Sequence, residues 1–276
     1  FVDEEIRPHV DELEHGDLPP YDILRKLFAT FGMDAMARDR FKKQIEREKS
    51  VAAAVARGEE PPPAKEARGG DGGGLSLIPI IELCRVCPGM VPATGVSMGL
   101  TSSAIMSKGT TAQKERWALD LLTMDKVGAW AITEPGSGSD AFGSMKSTAR
   151  RDGDDYILNG SKTFITNGPY ADTTVFICKL DEGNAPEQRK VLQFVLDSGT
   201  PGLEQSKPLR KMGMHSSPTG ELFLDDVRVG RDRLIGETED LPAGGRDGAK
   251  ATFQQERSGV AAMALGIVEE CLQLSV

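Results

Sequence analysis

Residues 152–168 read DGDDYILNGSKTFITNG, and the fold turns on them. Asp152-Gly153 and Asn159-Gly160 are dipeptides that supply the positive φ angles of tight hairpin turns. Between them lies the short run Asp154–Leu158. A second short strand, Lys162–Thr166, is bracketed by Asn159-Gly160 and Asn167-Gly168. The same punctuation continues outward. Val175–Cys178 and Val191–Leu196 are rich in β-branched and aromatic residues, and Thr219–Val229 (TGELFLDDVRV) is a longer run of the same kind. Short strands at close spacing, with Gly and Pro between them, predict a small β-barrel or sandwich across about 126–235.

On the N-terminal side the period changes from two to between three and four. Val2, Ile6, Val10 and Leu13 recur at helical spacing, and Gly16 and Pro19-Pro20 end that helix. A second helix carries Ile23, Leu24, Leu27, Phe28 and Phe31. A third, about 35–57, is highly charged, and its run Arg38–Lys49 reads as a solvated face. Residues 58–74 (GEEPPPAKEARGGDGGG) hold almost nothing apolar and are expected to form a flexible loop. Residues 75–107 suit helices, and Thr110 with Gln113 forms a capping box before Trp117, Leu121 and Leu122. Helical period returns near Gly248. There Val260, Ala264, Ile267, Val268, Cys271 and Leu272 make an apolar stripe that needs a partner surface, which predicts further chain after Val276. The expected fold class is therefore α+β. It has an N-terminal helical domain (1–125, with 58–74 a flexible loop), a middle small β-barrel domain (126–240) and the start of a C-terminal helical bundle (241–276).

Composition narrows the function. The chain has 276 residues, 39% hydrophobic and 27% charged, enough apolar material for a core. A net charge of −9 argues against nucleic acid as a partner. No apolar run reaches the length of a membrane span. Four cysteines are too few for a disulfide framework and suit a reducing, cytoplasmic compartment. Cys84-Arg-Val-Cys87 is a single CxxC with no second pair or nearby His, so no metal site is expected and both thiols read as buried and structural. His9 and His15 read as surface residues, and His215 as part of a packed loop.

Four segments carry the special chemistry. Thr133-Glu-Pro-Gly-Ser-Gly-Ser-Asp140 combines glycines, which let backbone approach a ligand, with the hydroxyls of Thr133, Ser137 and Ser139. Taken alone it also fits an ordinary Gly/Ser/Pro loop. Asn159–Gly168 fits a plain hairpin, and Met212–Val229 a loop feeding an edge strand. Gln254-Gln-Glu-Arg257 places Glu256 beside the apolar stripe, where burial raises a carboxyl pKa toward that of a base; a salt-bridged helix residue is the ordinary reading.

In this order, WAITEPGSGSD (130–140), NGSKTFITNG (159–168) and SSPTGELFLDDVRV (216–229) resemble the acyl-CoA dehydrogenase family. The resemblance implies an FAD enzyme that converts an acyl-CoA thioester to its 2,3-enoyl-CoA. It implies that Trp130–Ser139, Gly138 included, line the flavin, with Ile132 and Thr133 at the pyrimidine side and Ser139 reaching both FAD and acyl-CoA. Phe164, Ile165 and Thr166 match the strand beside the isoalloxazine, Phe164 standing where many members have Trp. Gln254 and Arg257 match a stretch that touches substrate. Glu256 matches the base of the isovaleryl and long-chain branches; in most of the family the base lies farther along, which here means after Val276. The family further implies an electron-transfer flavoprotein as acceptor, a homo- or hetero-tetramer, and a cytoplasmic location, or the mitochondrial matrix in a eukaryote. Two rivals remain at this point: a same-fold flavin oxidase or monooxygenase, and a non-catalytic subunit of a hetero-oligomer. The charged helix and segment 58–74 depart from the family pattern at the border of the acyl pocket, which implies an unusual, bulky substrate.

Overall fold

The computed structural model describes residues 1–59, 77–240 and 245–276, and the side chains of all of these except 245–258. The expected flexible loop 58–74 lies outside the described residues from residue 60 onward.

Gly153, at φ +65°, turns the chain between β2 (Thr148–Asp152) and β3 (Asp155–Thr166). These two strands pair antiparallel from Thr148↔Asn159 to Asp152↔Asp155, so this part of the hairpin reading holds. The Asn159-Gly160 pair does not turn the chain. β3 runs straight through it for 12 residues and accommodates Gly160 as a bulge, where the register on β7 (Thr219–Gly230) shifts between Leu158 and Gly160. The reason is steric. Gly160 has φ +150°, and a Cβ there would lie 2.2 Å from Ser147 Oγ, so the position needs glycine without needing a turn.

β4 (Thr173–Leu180) is the centre of the sheet, and all of its residues are buried. One edge pairs antiparallel with β5 (Val191–Asp197). The other edge is shared. β1 (Gly128–Ala131) runs parallel to its first half, and β2 meets it only at Thr148↔Lys179 and Ala149↔Leu180. The short β6 (Leu203–Gln205) adds to β7, completing a seven-stranded curled sheet. Alternation along β4 serves two cores. Phe176, Cys178 and Leu180 face the sheet's own interior with Tyr156, Leu158, Phe194 and Leu222. Val175 and Ile177 face the helices, against Phe41, Ile105, Trp117 and Leu121. A strand covered on both faces reads as a continuous apolar run, which is why VFIC shows no alternation.

The helices follow the expected order. α1 (Val10–Glu14) comes first, preceded by a π turn at Val2–Ile6, then α2 (Tyr21–Thr30) and α3 (Met33–Ala56). Leu24, Leu27 and Phe28 are buried with Ile6, Leu13 and Met90, whereas Phe31 caps α2 and is exposed. Only Phe41, Ile45 and Ala54 of α3 are buried, consistent with a solvated face over the rest. α4 (Ile78–Val86) and α5 (Met90–Gly95) follow, and a π turn, Val96–Thr101, joins α5 to α6 (Ser102–Lys108). Thr110 and Gln113 form the capping box at α7 (Thr111–Gln113), with both reciprocal hydrogen bonds present. A π turn at Lys114–Ala118 leads on to α8 (Leu119–Leu122).

α9 (Gly245–Ser275) packs on α4 through Ala262 and Gly266. A Cβ on Gly266 would lie 2.2 Å from the Ile81 carbonyl oxygen. All six residues of the predicted apolar stripe, from Val260 to Leu272, are exposed.

Candidate active site

The divided edge of β4 creates the site. The chain leaves that edge after Ala131↔Phe176 and regains it at Thr148↔Lys179. Residues 132–147 project between these points as a compact loop. The loop is closed on itself by one side chain: Glu134 Oε2 accepts from Lys146 N at 2.6 Å, and Oε1 from Ser147 N at 2.9 Å. Inside it, Glu134 and Ser137 exchange backbone hydrogen bonds, and Ser137 Oγ donates to the Asp140 carbonyl at 2.7 Å. With its ends and neck tied, the loop presents Pro135, Gly136, Gly138 and Ser139 to solvent. A Cβ on Gly136 or Gly138 would meet nothing within 4 Å, so their backbone is open to close approach.

β3 forms the facing wall. Thr163 N donates to the Thr133 carbonyl at 2.9 Å, stitching strand to loop. Lys162, fully buried, donates to the Ile132 carbonyl at 3.0 Å and to Glu134 Oε1 at 2.9 Å. Burial alone would raise the Glu134 pKa. Hydrogen bonds from Ser147, Lys162 and Lys146 outweigh it and hold the carboxyl below its ordinary range. The next residue outward, Phe164, has φ +56° and is 68% exposed. Left-handed backbone is uncommon for a bulky residue. The strand's second register shift, between Lys162 and Ile165, produces it and turns the ring out of the sheet. Ile165 points the other way into the sheet core, so only its backbone faces the site. Thr166 is half-buried opposite Thr219.

Of the residues expected from sequence, Thr133, Gly138, Ser139, Phe164 and Thr166 thus lie on the loop and strand stitched together at Thr133–Thr163. Trp130 and Ile132 are half-buried against the helix-facing core, on the strand that feeds the loop. The side chains of Gln254, Glu256 and Arg257 lie outside the described residues, although α9 carries all three. His215 sits in a packed loop as expected, its backbone N–H donating to Glu14 Oε2 at 2.8 Å. Cys84 and Cys87 are buried, and burial pushes their thiols up to about 11 and about 12. No cluster that could hold a metal ion occurs among the described residues.

Three further residues order the site, and sequence alone assigns none of them a role. Glu134 and Lys162 stand inside quoted motifs, yet nothing in a sequence pairs residues 28 apart. Asn167 is fully buried at φ +65° and joins three elements. Its amide donates to the Ala93 and Gly128 carbonyls at 2.8 and 2.9 Å, and its Oδ1 accepts from Tyr21 Oη at 3.0 Å.

Comparison with known proteins fits this architecture. The model for the acyl-CoA dehydrogenase middle domain matches residues 129–227. The short-chain-specific acyl-CoA dehydrogenase of Megasphaera elsdenii is 36% identical over 206 residues, 74% of this chain and 52% of that protein. The solved butyryl-CoA dehydrogenase of M. elsdenii superposes with a TM-score of 0.72 at 30% identity, covering 98% of this chain and 63% of that one. The acyl-CoA dehydrogenase structure from Geobacillus kaustophilus gives 0.66 at 32% identity, over 94% and 68%. The chain therefore belongs to the acyl-CoA dehydrogenase family. It spans about half the length of the curated relative it matches.

Proposed function

We propose that the protein is an FAD-dependent acyl-CoA dehydrogenase that converts an acyl-CoA thioester to its 2,3-enoyl-CoA. The observation that carries this reading is Phe164. An aromatic ring held outward by left-handed backbone within a strand needs a partner to justify its strain. The ring stands beside a loop of open glycine backbone and hydroxyls, which together fit a flat, polar-edged cofactor.

In this reading Trp130, Ile132, Thr133, Gly138 and Ser139 hold FAD from the loop side, and Phe164, Ile165 and Thr166 hold it from β3. FAD supplies the hydride acceptor. Thr133 and Thr166 offer hydroxyls to its ring edge, and Ser139 extends to the acyl-CoA. Glu256 takes the α-proton, with Gln254 and Arg257 at the substrate. A thioester α-proton is a weak acid, so such a base needs water excluded and its pKa raised by burial. The names of the relatives make butyryl-CoA the first substrate to try. An electron-transfer flavoprotein as acceptor, a tetrameric assembly and a reducing compartment, the cytoplasm or the mitochondrial matrix, complete the proposal. Four free cysteines agree with that compartment, and no described helix is long and apolar enough to cross a membrane.

The test is direct. Purified protein is expected to carry about one FAD per chain, and anaerobic butyryl-CoA to bleach its visible absorption. A colourless protein that stays colourless when incubated with FAD ends the proposal. Glu256→Gln is expected to retain FAD and lose the bleaching; unchanged bleaching would place the base elsewhere.

A further inference from the structure

Lys162 and Glu134 are the buried charges closest in sequence to both walls of the candidate site. Their side chains are 0% and 5% exposed and meet at 2.9 Å. Lys162 also lies 5.2 Å from the centre of the Phe176 ring, on the fully buried β4. Taking two charges out of water is expensive, and well-packed apolar residues commonly serve stability as well or better. The gain must come from what the pair fixes. On one side it fixes the loop: the Glu134 carboxylate binds the amides of Lys146 and Ser147, so both ends of residues 134–147 converge on one side chain. On the other it fixes β3 against that loop, through Lys162 to the Ile132 carbonyl and the adjacent Thr163–Thr133 bond. Thr133 directly precedes Glu134, and Phe164 stands two residues beyond Lys162. A shift at the pair therefore moves both walls.

We infer that Glu134 and Lys162 are positioning residues, a buried crossbar that sets the loop wall and the β3 wall of the flavin seat at their working separation. The inference rests on the flavin reading above. Neither side chain is asked to touch flavin or substrate. Glu134 accepts from three donors, and Lys162 donates to Glu134 and to a carbonyl, so the unit is locked with respect to both walls.

The deciding variant is Glu134→Gln with Lys162→Met. It removes both charges together and keeps, in the glutamine Oε1, an acceptor for one of the two loop amides. The expected result is an apoprotein that still melts cooperatively, with FAD affinity lowered about tenfold or more, because small misplacement of holding groups is costly. Altered visible circular dichroism of bound flavin and faster amide exchange at Lys146 and Ser147 are expected alongside it. Affinity and flavin dichroism equal to wild type would overturn the inference. Should the pair variant fail to fold, Glu134→Asp carries the test, since it keeps the charge and shortens the crossbar by one methylene. Weakened FAD binding with an unchanged far-ultraviolet spectrum supports the inference, and wild-type binding overturns it. A wild-type protein that binds no FAD overturns the flavin reading and this inference with it. A binding wild type with indifferent variants overturns the crossbar alone.

Discussion

At Phe164 stability and use pull in opposite directions. Its left-handed backbone is unfavourable for an aromatic residue, and its ring, 68% exposed, recovers little of that by burial. Phe164→Gly removes the strain, and although glycine adds entropy to the unfolded chain, we expect a net gain of up to about 1 kcal/mol, read from urea denaturation. The same change removes the aromatic wall, so FAD affinity should fall. Lower stability together with undiminished FAD binding would show that the ring serves packing. Gly160 gives the complementary case. A Cβ there would lie 2.2 Å from Ser147 Oγ and 2.9 Å from Ser147 Cα, and backbone cannot swing aside as a side chain can. Gly160→Ala should destabilise by about 1–3 kcal/mol in the same denaturation assay. A neutral result would mean that the bulge relaxes freely.

At the scale of elements, the sequence was most legible where one local rule decides. Asp152-Gly153 makes its hairpin, Thr110 with Gln113 makes its capping box, and helix period marks α2 and α9. It was least legible where a partner strand overrules the local signal. Asn159-Gly160 carries the same dipeptide preference as a turn, but β7 pairs with both flanks of β3 and draws the pair into a bulge. The same holds for the site. Its loop and strand were visible as motifs, while the Glu134–Lys162 bond and the Asn167 hub depend on closure of the sheet and on helices far away in sequence. Asn167 ties α2, α5 and β1 through three side-chain hydrogen bonds at a fully buried position. Asn167→Ala leaves the Ala93 and Gly128 carbonyls and the Tyr21 hydroxyl without that partner. The expected cost is about 2–4 kcal/mol, because buried polar groups are left unsatisfied. Tyr21→Phe, which removes one donor, should cost about 1 kcal/mol. Equal, small effects for both would deny Asn167 its joining role.

For the whole molecule, titratable groups shifted by folding bound the pH range of the fold. Glu239 donates nothing and accepts from Arg151 and from Tyr156 Oη, and these bonds, the Arg151 bond foremost, pull its carboxyl down to about 2. A carboxyl lowered by folding contributes stability above its unfolded value near 4.5, and that contribution is lost as pH falls toward 2. Glu134 shifts in the same direction and adds to this acid limb. At the other end, burial raises the thiols of Cys84, Cys87 and Cys178 to about 11, about 12 and about 12, from an ordinary value of 9.0. Groups raised by folding contribute fully below the unfolded value, and their contribution fades as pH climbs from 9.0 through 11 to 12. Melting temperature should therefore be flat around neutrality and fall on both sides, and Glu239→Gln should flatten the acid side. Cys271 alone of the four cysteines is exposed. At pH 8 an aromatic disulfide reagent should label one thiol rapidly, and Cys271→Ser should abolish that phase. The remaining three should react only as fast as the fold opens, since the thiolate is the attacking species and burial suppresses it. Rapid labelling of two or more thiols in the native protein would contradict the buried placement of Cys84, Cys87 and Cys178, and with it the helical core that holds Cys87 and the sheet interior that holds Cys178.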